Sequence, residues 1–108
     1  MFLADVIGTV VAPVQHPTLE GRTQLLLRPV TPTGAATAKT RIGIDHVGAG
    51  VGDRVIVLDE GNGGRQLIGV PDAPVKTIVV GVVDAVEHEG AVVYDHRAHP
   101  PLERRPSE

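Results

Sequence analysis

The sequence contains no cysteine and no tryptophan, and its 108 residues include one Phe and one Tyr. Without cysteine there are no disulfides and no thiolate metal ligands, which agrees with a reducing cytoplasm. An aromatic content of 2% leaves no platform of the kind on which single-stranded nucleic acids stack. No stretch approaches the roughly 20 apolar residues that span a bilayer. The opening residues Met1, Phe2, Leu3, Ala4 and Asp5 lack the basic start and long apolar run of a signal peptide. Ten Lys and Arg stand against 13 Asp and Glu, a net charge of -3, so nucleic acid meets no basic footprint. Nucleophiles are as scarce: Ser107 is the sole serine and lies near the end of the sequence.

What is present is aliphatic. Hydrophobic residues make up 42%, and with so few aromatics the core must come from Val, Ile, Leu and Ala. β-Branched residues fit a pleated surface better than a helix. Thirteen Gly and nine Pro provide frequent turns. The composition predicts an all-β fold of about six short strands, with at most one short helix. A domain this small buries only about two-thirds of its unfolded surface, so a partner surface adds much.

Residues 3–12 read as a first strand, with Gly8 marking a bend or bulge. A Pro/Gly loop over 13–21 follows. Leu25, Leu26 and Leu27 lead a second strand ending near Pro29 and Val30, and Thr31, Pro32, Thr33 and Gly34 are a turn signal. In residues 38–45, Ala38, Thr40, Ile42 and Ile44 alternate with Lys39, Arg41, Gly43 and Asp45, the period of a sheet with one wet face. A Gly-rich loop over 47–53 precedes a fourth strand over 54–58. Asn62 predicts the cap of a short helical turn through Ile68. The apolar run 76–86 reads as one long fifth strand needing cover on both faces. His88, Glu89 and Gly90 read as a hairpin loop into Ala91, Val92, Val93 and Tyr94. The economical solution is a small OB-like barrel over residues 1–95, with 96–108 as a Pro-rich, flexible tail.

Few patterns carry chemistry. Gly48, Gly50 and Gly52 are spaced G-x-G-x-G, which is neither the dinucleotide fingerprint nor the P-loop, and no helix follows. Asp45 and His46 beside Asp53 suggest an acid–base pair, but no nucleophile or third orienting group accompanies them. His88, His96 and His99, with Glu87, Glu89 and Asp95, are loosely metal-like without a rigid frame. Arg104 and Arg105 read as a solvated pair between acidic residues. No catalytic, cofactor or metal residues emerge, so the chain works through its surfaces.

Four segments in order resemble one family. Residues 3–12 look like its opening strand, and Leu19, Glu20 and Gly21 with residues 25–29 like its second. Residues 45–55, Asp-His-Val-Gly-Ala-Gly-Val-Gly-Asp-Arg-Val, are the most specific match. Residues 74–84 look like its closing strand. Together they resemble the bacterial microcompartment vertex proteins, the EutN/CcmL family of pentameric shell proteins, over about residues 1–87. Two places depart from the pattern. The family's Gly-Ser-Ser-Ala-Arg-like segment reads Gly61, Asn62, Gly63, Gly64, Arg65 here, and Lys76 stands where an acidic residue is common.

The resemblance implies an OB-like barrel assembling as a cyclic pentamer, in the cytoplasm, within the shell of a carboxysome- or metabolosome-type microcompartment. It implies no catalysis and no cofactor. Its implied partners are further copies of the chain and hexameric and pseudohexameric shell proteins, with neither nucleic acid nor membrane. Gly48, Ala49, Gly50, Gly52, Asp53, Asn62, Gly63, Gly64 and Arg65 are then expected at subunit contacts. Glycines there let backbones approach, and Arg65 can make forked hydrogen bonds. The rival readings are an accessory subunit of an enzyme and an OB-like binding module without catalysis.

Overall fold

Val- and Leu-rich strands close on themselves in the computed structural model, which describes residues 1–11, 17–19, 21–60 and 76–98. The strands are β1 (Phe2–Val10), β2 (Gln24–Val30), β3 (Arg41–Asp45), β4 (Arg54–Asp59), β5 (Thr77–Val82), β6 (Ala85–His88) and β7 (Ala91–Asp95). The first five form a closed barrel in the order β1-β2-β3-β5-β4, while β6 and β7 form a separate two-stranded sheet. Only β3 and β5 run parallel; the other barrel pairs are antiparallel. The all-β, OB-like barrel read from the sequence is the fold observed.

Alternation places one face of every barrel strand inside. Ala4, Val6, Leu25, Leu27, Ala49, Val55, Val57 and Val79 fill the interior, with half-buried Phe2 and Val51 packed against them. Burying each such Val or Leu contributes about 1.5–3 kcal/mol. Gly43 faces this interior opposite Leu25. A Cβ there would lie 2.7 Å from Leu27 Cδ1 and 3.1 Å from Thr77 Cγ2, so only glycine lets β3 approach so closely. One mouth of the barrel is closed by a polar set. Arg41 donates to both carboxylate oxygens of Asp59 (Nη1 to Oδ2, 3.0 Å) and to Thr77 Oγ1 at 3.0 Å. The same guanidinium lies 5.0 Å from the centre of the Phe2 ring.

Several expectations hold. The ladder slips between Val6 and Gly8, the bulge that Gly8 signals. Gly34 donates to Thr31 O at 2.9 Å with φ of 94°, closing the predicted turn. Glu89 and Gly90, with φ of 54° and 79°, form the predicted hairpin turn.

Others are corrected. β3 begins at Arg41 rather than at residue 38, because Thr37 N–H donates instead to Pro29 O. Its isoleucines point out of the barrel: Ile44 joins Ile78, Leu19 and Val80 in a second cluster on the outer wall, and Ile42 is 54% exposed. Part of the outer cover for β5 therefore comes from the chain itself, with Leu19 brought there by a 3-10 turn, Pro17–Leu19, in the expected loop. The run 76–86 is two strands. Val83 N–H donates to Arg54 O at 2.8 Å, Asp84 is exposed, and Asp84 O accepts from His96 N–H at 2.9 Å, which turns the chain off the barrel into β6. That break makes seven strands among the described residues where the sequence suggests six. The predicted turn over 62–68 lies outside the described residues.

Candidate functional site

The loop between β3 and β4 is organised by two carboxylates. Asp45 Oδ1 accepts the N–H groups of Val47, Gly48 and Ala49 at 3.1, 3.1 and 3.2 Å. Asp53 Oδ2 accepts Gly50 N–H at 2.8 Å, and Asp53 N–H donates to Gly50 O. Two further bonds tie the loop to β1: Gly52 N–H to Val6 O and Val6 N–H to Asp53 O, each 2.9 Å. Ala49 is buried in the barrel's core cluster. Gly48 and Gly52 have φ of 80° and 95°, which glycine adopts without strain.

This geometry answers two sequence readings. The glycine loop does form a nest of N–H groups, but Asp45 already fills it, so a phosphate would have to displace a bound carboxylate. Asp45 is thereby committed to its own loop rather than to His46. His46 is exposed and its N–H donates to Val79 O at 3.2 Å. His96 Nδ1 is 2.8 Å from Tyr94 Oη, and its Nε2 is 3.8 Å from Asp53 Oδ1. Among the described residues no three His, Asp or Glu side chains stand together in a metal-holding group.

Of the residues expected at subunit contacts, Gly48 and Gly50 are exposed, Gly52 and Asp53 are half-buried, and Ala49 is buried. A Cβ on Gly50 meets nothing within 4 Å, so a side chain there has room within its own subunit. Val47 beside them is 41% exposed. Asn62, Gly63, Gly64 and Arg65 lie outside the described residues, as do His99, Arg104 and Arg105.

Sequence reasoning passed over a second constellation, on the outer wall. Asp5 and Arg54, paired across β1 and β4, are buried together. Arg54 Nε donates to Asp5 Oδ1 at 2.8 Å and Nη2 to Oδ2 at 3.1 Å. Arg54 also lies 4.2 Å from the centre of the Tyr94 ring, which brings β7 onto the barrel. Burial raises the Tyr94 phenol above its ordinary pKa, against the lowering pull of Arg54. Arg28 approaches Asp5 from β2 at 3.7 Å. The legible signal was a charge at either end of the pairing: Asp5 inside an apolar strand and Arg54 at the head of another. Buried charges are rarely left unpaired.

Comparison with known proteins adds independent observations. The family model described as "Ethanolamine utilisation protein EutN/carboxysome" matches residues 1–84. The carboxysome shell vertex protein CcmL of Synechococcus elongatus is 33% identical over 99 residues, covering 92% of this chain and 99% of the relative. Among solved structures, Gloeobacter violaceus CcmL superposes with a TM-score of 0.81 at 30% identity, covering 90% of this chain and 99% of that one. The pentameric microcompartment shell protein GrpN of Rhodospirillum rubrum superposes with a TM-score of 0.73 at 36% identity, covering 82% and 99%.

Proposed function

The chain belongs to the EutN/CcmL family, and from that premise we propose how its barrel serves as a building block rather than as an enzyme. It is a structural shell vertex protein of a bacterial microcompartment, forming pentamers in the shell within the cytoplasm. The observation that carries this is the joint agreement of sequence and fold, over nearly the whole length of each relative, with proteins of that one role. The absence of catalysis is our reading. Its support is that the loop carboxylates Asp45 and Asp53 are held in hydrogen bonds to backbone N–H groups.

A sheet of hexagons stays flat, and fivefold units supply the curvature that closes it. The chain's proposed partners are therefore hexameric and pseudohexameric shell proteins, which meet the rim of the ring. Head-to-tail contacts close the ring after five copies. The loop carrying Gly48, Ala49, Gly50, Gly52 and Asp53 is the proposed contact, together with Asn62, Gly63, Gly64 and Arg65. In its favour, the loop is rigidly tied yet presents Val47, Gly48 and Gly50 to solvent.

Native mass spectrometry tests the assembly: five copies of the 11.3 kDa chain give about 56 kDa, and a monomer across a wide concentration range overturns it. Gly50→Leu tests the contact. The subunit should melt normally, because the site is open, while the pentamer weakens; an unchanged pentamer removes the loop from the interface. Co-expression with facet-forming hexamers tests the partner. Closed shells are expected with the chain and open or elongated ones without it.

A further inference from the structure

The β6–β7 hairpin turns one face to its own barrel and one away from it. Val86 and Tyr94 are cross-strand partners on the inner face, where Tyr94 is buried over Arg54. Alternation turns the next pair, Glu87 and Val92, outward. Both are exposed, Val92 to 59%. An apolar knob thus stands beside a carboxylate, and Glu87 makes no ion pair or hydrogen bond among the described residues. The far wall of the barrel carries the complement. In the closed order β1-β2-β3-β5-β4, the β3–β5 seam lies across from β1, whereas the hairpin is anchored on the β1–β4 side. Along that seam runs a groove of about 240 Å³, lined by Leu19, Ile42, Ile44, Lys76 and Thr77 among others. Ile42 is 54% exposed and Lys76 is exposed beside it. No carboxylate is among the described lining residues, and Lys76 makes no ion pair or hydrogen bond among the described residues. A hairpin fixed to one wall cannot fill a groove on the opposite wall of the same chain.

We propose that the groove receives the hairpin of the adjacent copy, with Val92 seated beside Ile42 and Glu87 paired with Lys76. Each subunit then offers a hairpin to one neighbour and a groove to the other. This rests on the pentameric reading and names the surfaces that carry it. Unlike patches meeting head to tail are what a closed ring requires. The apolar knob and the apolar floor leave water together, and the opposite charges fix the register of the contact. The hairpin gains the second covering surface that two strands alone lack.

The chain has no cysteine, so the double variant Val92→Cys/Ile42→Cys carries thiols only at the contact. A disulfide forms there only if the two Cα atoms come within about 7 Å. Under mild oxidation the double variant should give a ladder of covalent species up to five chains on a non-reducing gel, and neither single variant should. Native mass spectrometry then tests the charge pair, with circular dichroism confirming that each variant folds. Glu87→Lys should raise the dissociation constant of the ring about tenfold, as repulsion replaces attraction. Glu87→Lys/Lys76→Glu should recover most of that loss. A pentamer that gives no ladder overturns the docking. A ladder with Glu87→Lys rings as stable as wild type, or with no recovery in the charge swap, overturns the Glu87–Lys76 pair. If no ladder forms yet Ile42→Asp prevents closed shells on co-expression with facet-forming hexamers, the groove serves a hexameric partner and not a second copy. A wild type that stays monomeric removes the functional reading itself, and the contact with it.

Discussion

The barrel and the β6–β7 hairpin are built from similar valine-rich strands, antiparallel in every pair but β3–β5, yet they are held by different means. The barrel has no free edge, and Leu25, Leu27, Val55, Val57 and Val79 are wholly buried in it. The hairpin is two strands with one buried side chain, Tyr94, while Val92 is 59% exposed. A two-stranded sheet alone is marginal in water. Closure therefore stabilises the barrel through many contacts, and the hairpin depends on a single aromatic anchor over Arg54.

The largest effect should come from the barrel interior. Leu27→Ala leaves a cavity in a closed space and should cost about 3 kcal/mol. Chemical denaturation checks this, and hydrogen exchange should show barrel and hairpin amides losing protection together. A loss confined to the neighbourhood of β2 would mean that the barrel is not one cooperative unit. Gly43→Ala should follow at about 2 kcal/mol, because its Cβ has no room beside the fully buried Leu27. An unchanged midpoint would show that Leu27 has another rotamer available and that the interior is looser than its burial indicates.

The hairpin should behave differently. Tyr94→Ala removes the ring beneath Arg54 and the Tyr94–His96 contact. It should cost about 1–2 kcal/mol, with exchange protection lost in β6 and β7 and kept in β1 to β5. Tyr94→Phe keeps the ring and should cost less. A loss as large as that of Leu27→Ala, spread through the barrel, would erase the contrast between the two regions.

What was legible in the sequence follows the same division. Period-2 patterns, glycines at turns and the loop over 45–55 disclosed the barrel strands, because each is a local signal. The direction in which β3 faces was not legible. Alternation marks Ile42 and Ile44 as one face but not as the outer one, and the glycine between them is what packs inward. The break at Val83 was hidden in a continuous apolar run, since it is made by a bond to Arg54 O and a turn at Asp84 that lie far from each other's partners in sequence. Asp5, Arg28, Arg54 and Tyr94 come from four strands, so spacing along the chain could not unite them. The contact loop was chosen for its glycines. Gly48 and Gly52 serve its own turns, which leaves Gly50 as the cleaner probe of an interface.

The smallest effect concerns the mouth of the barrel and extends the comparison to pH. The hydrogen bonds from Arg41, chiefly, hold the Asp59 carboxyl below its ordinary pKa, and the charges of Arg41 and Lys76 add to this against the opposing effect of burial. A carboxyl whose pKa is lower when folded adds stability above its unfolded value of about 3.9 and loses it as pH falls through the folded value. The barrel should therefore lose about 0.5–1 kcal/mol in strong acid from this pair, a modest amount because the side chains of Arg41 and Asp59 remain 32% and 27% exposed. Asp59→Asn should be less stable than wild type at neutral pH and should flatten the acid limb of a melting-temperature profile. The hairpin holds no comparable pair, since His88 and Glu89 stand 3.9 Å apart on its exposed turn. Hydrogen exchange at low pH should then show the acid effect in β3, β4 and β5 before β6 and β7. Earlier loss in the hairpin would place the acid-sensitive contact away from the barrel mouth.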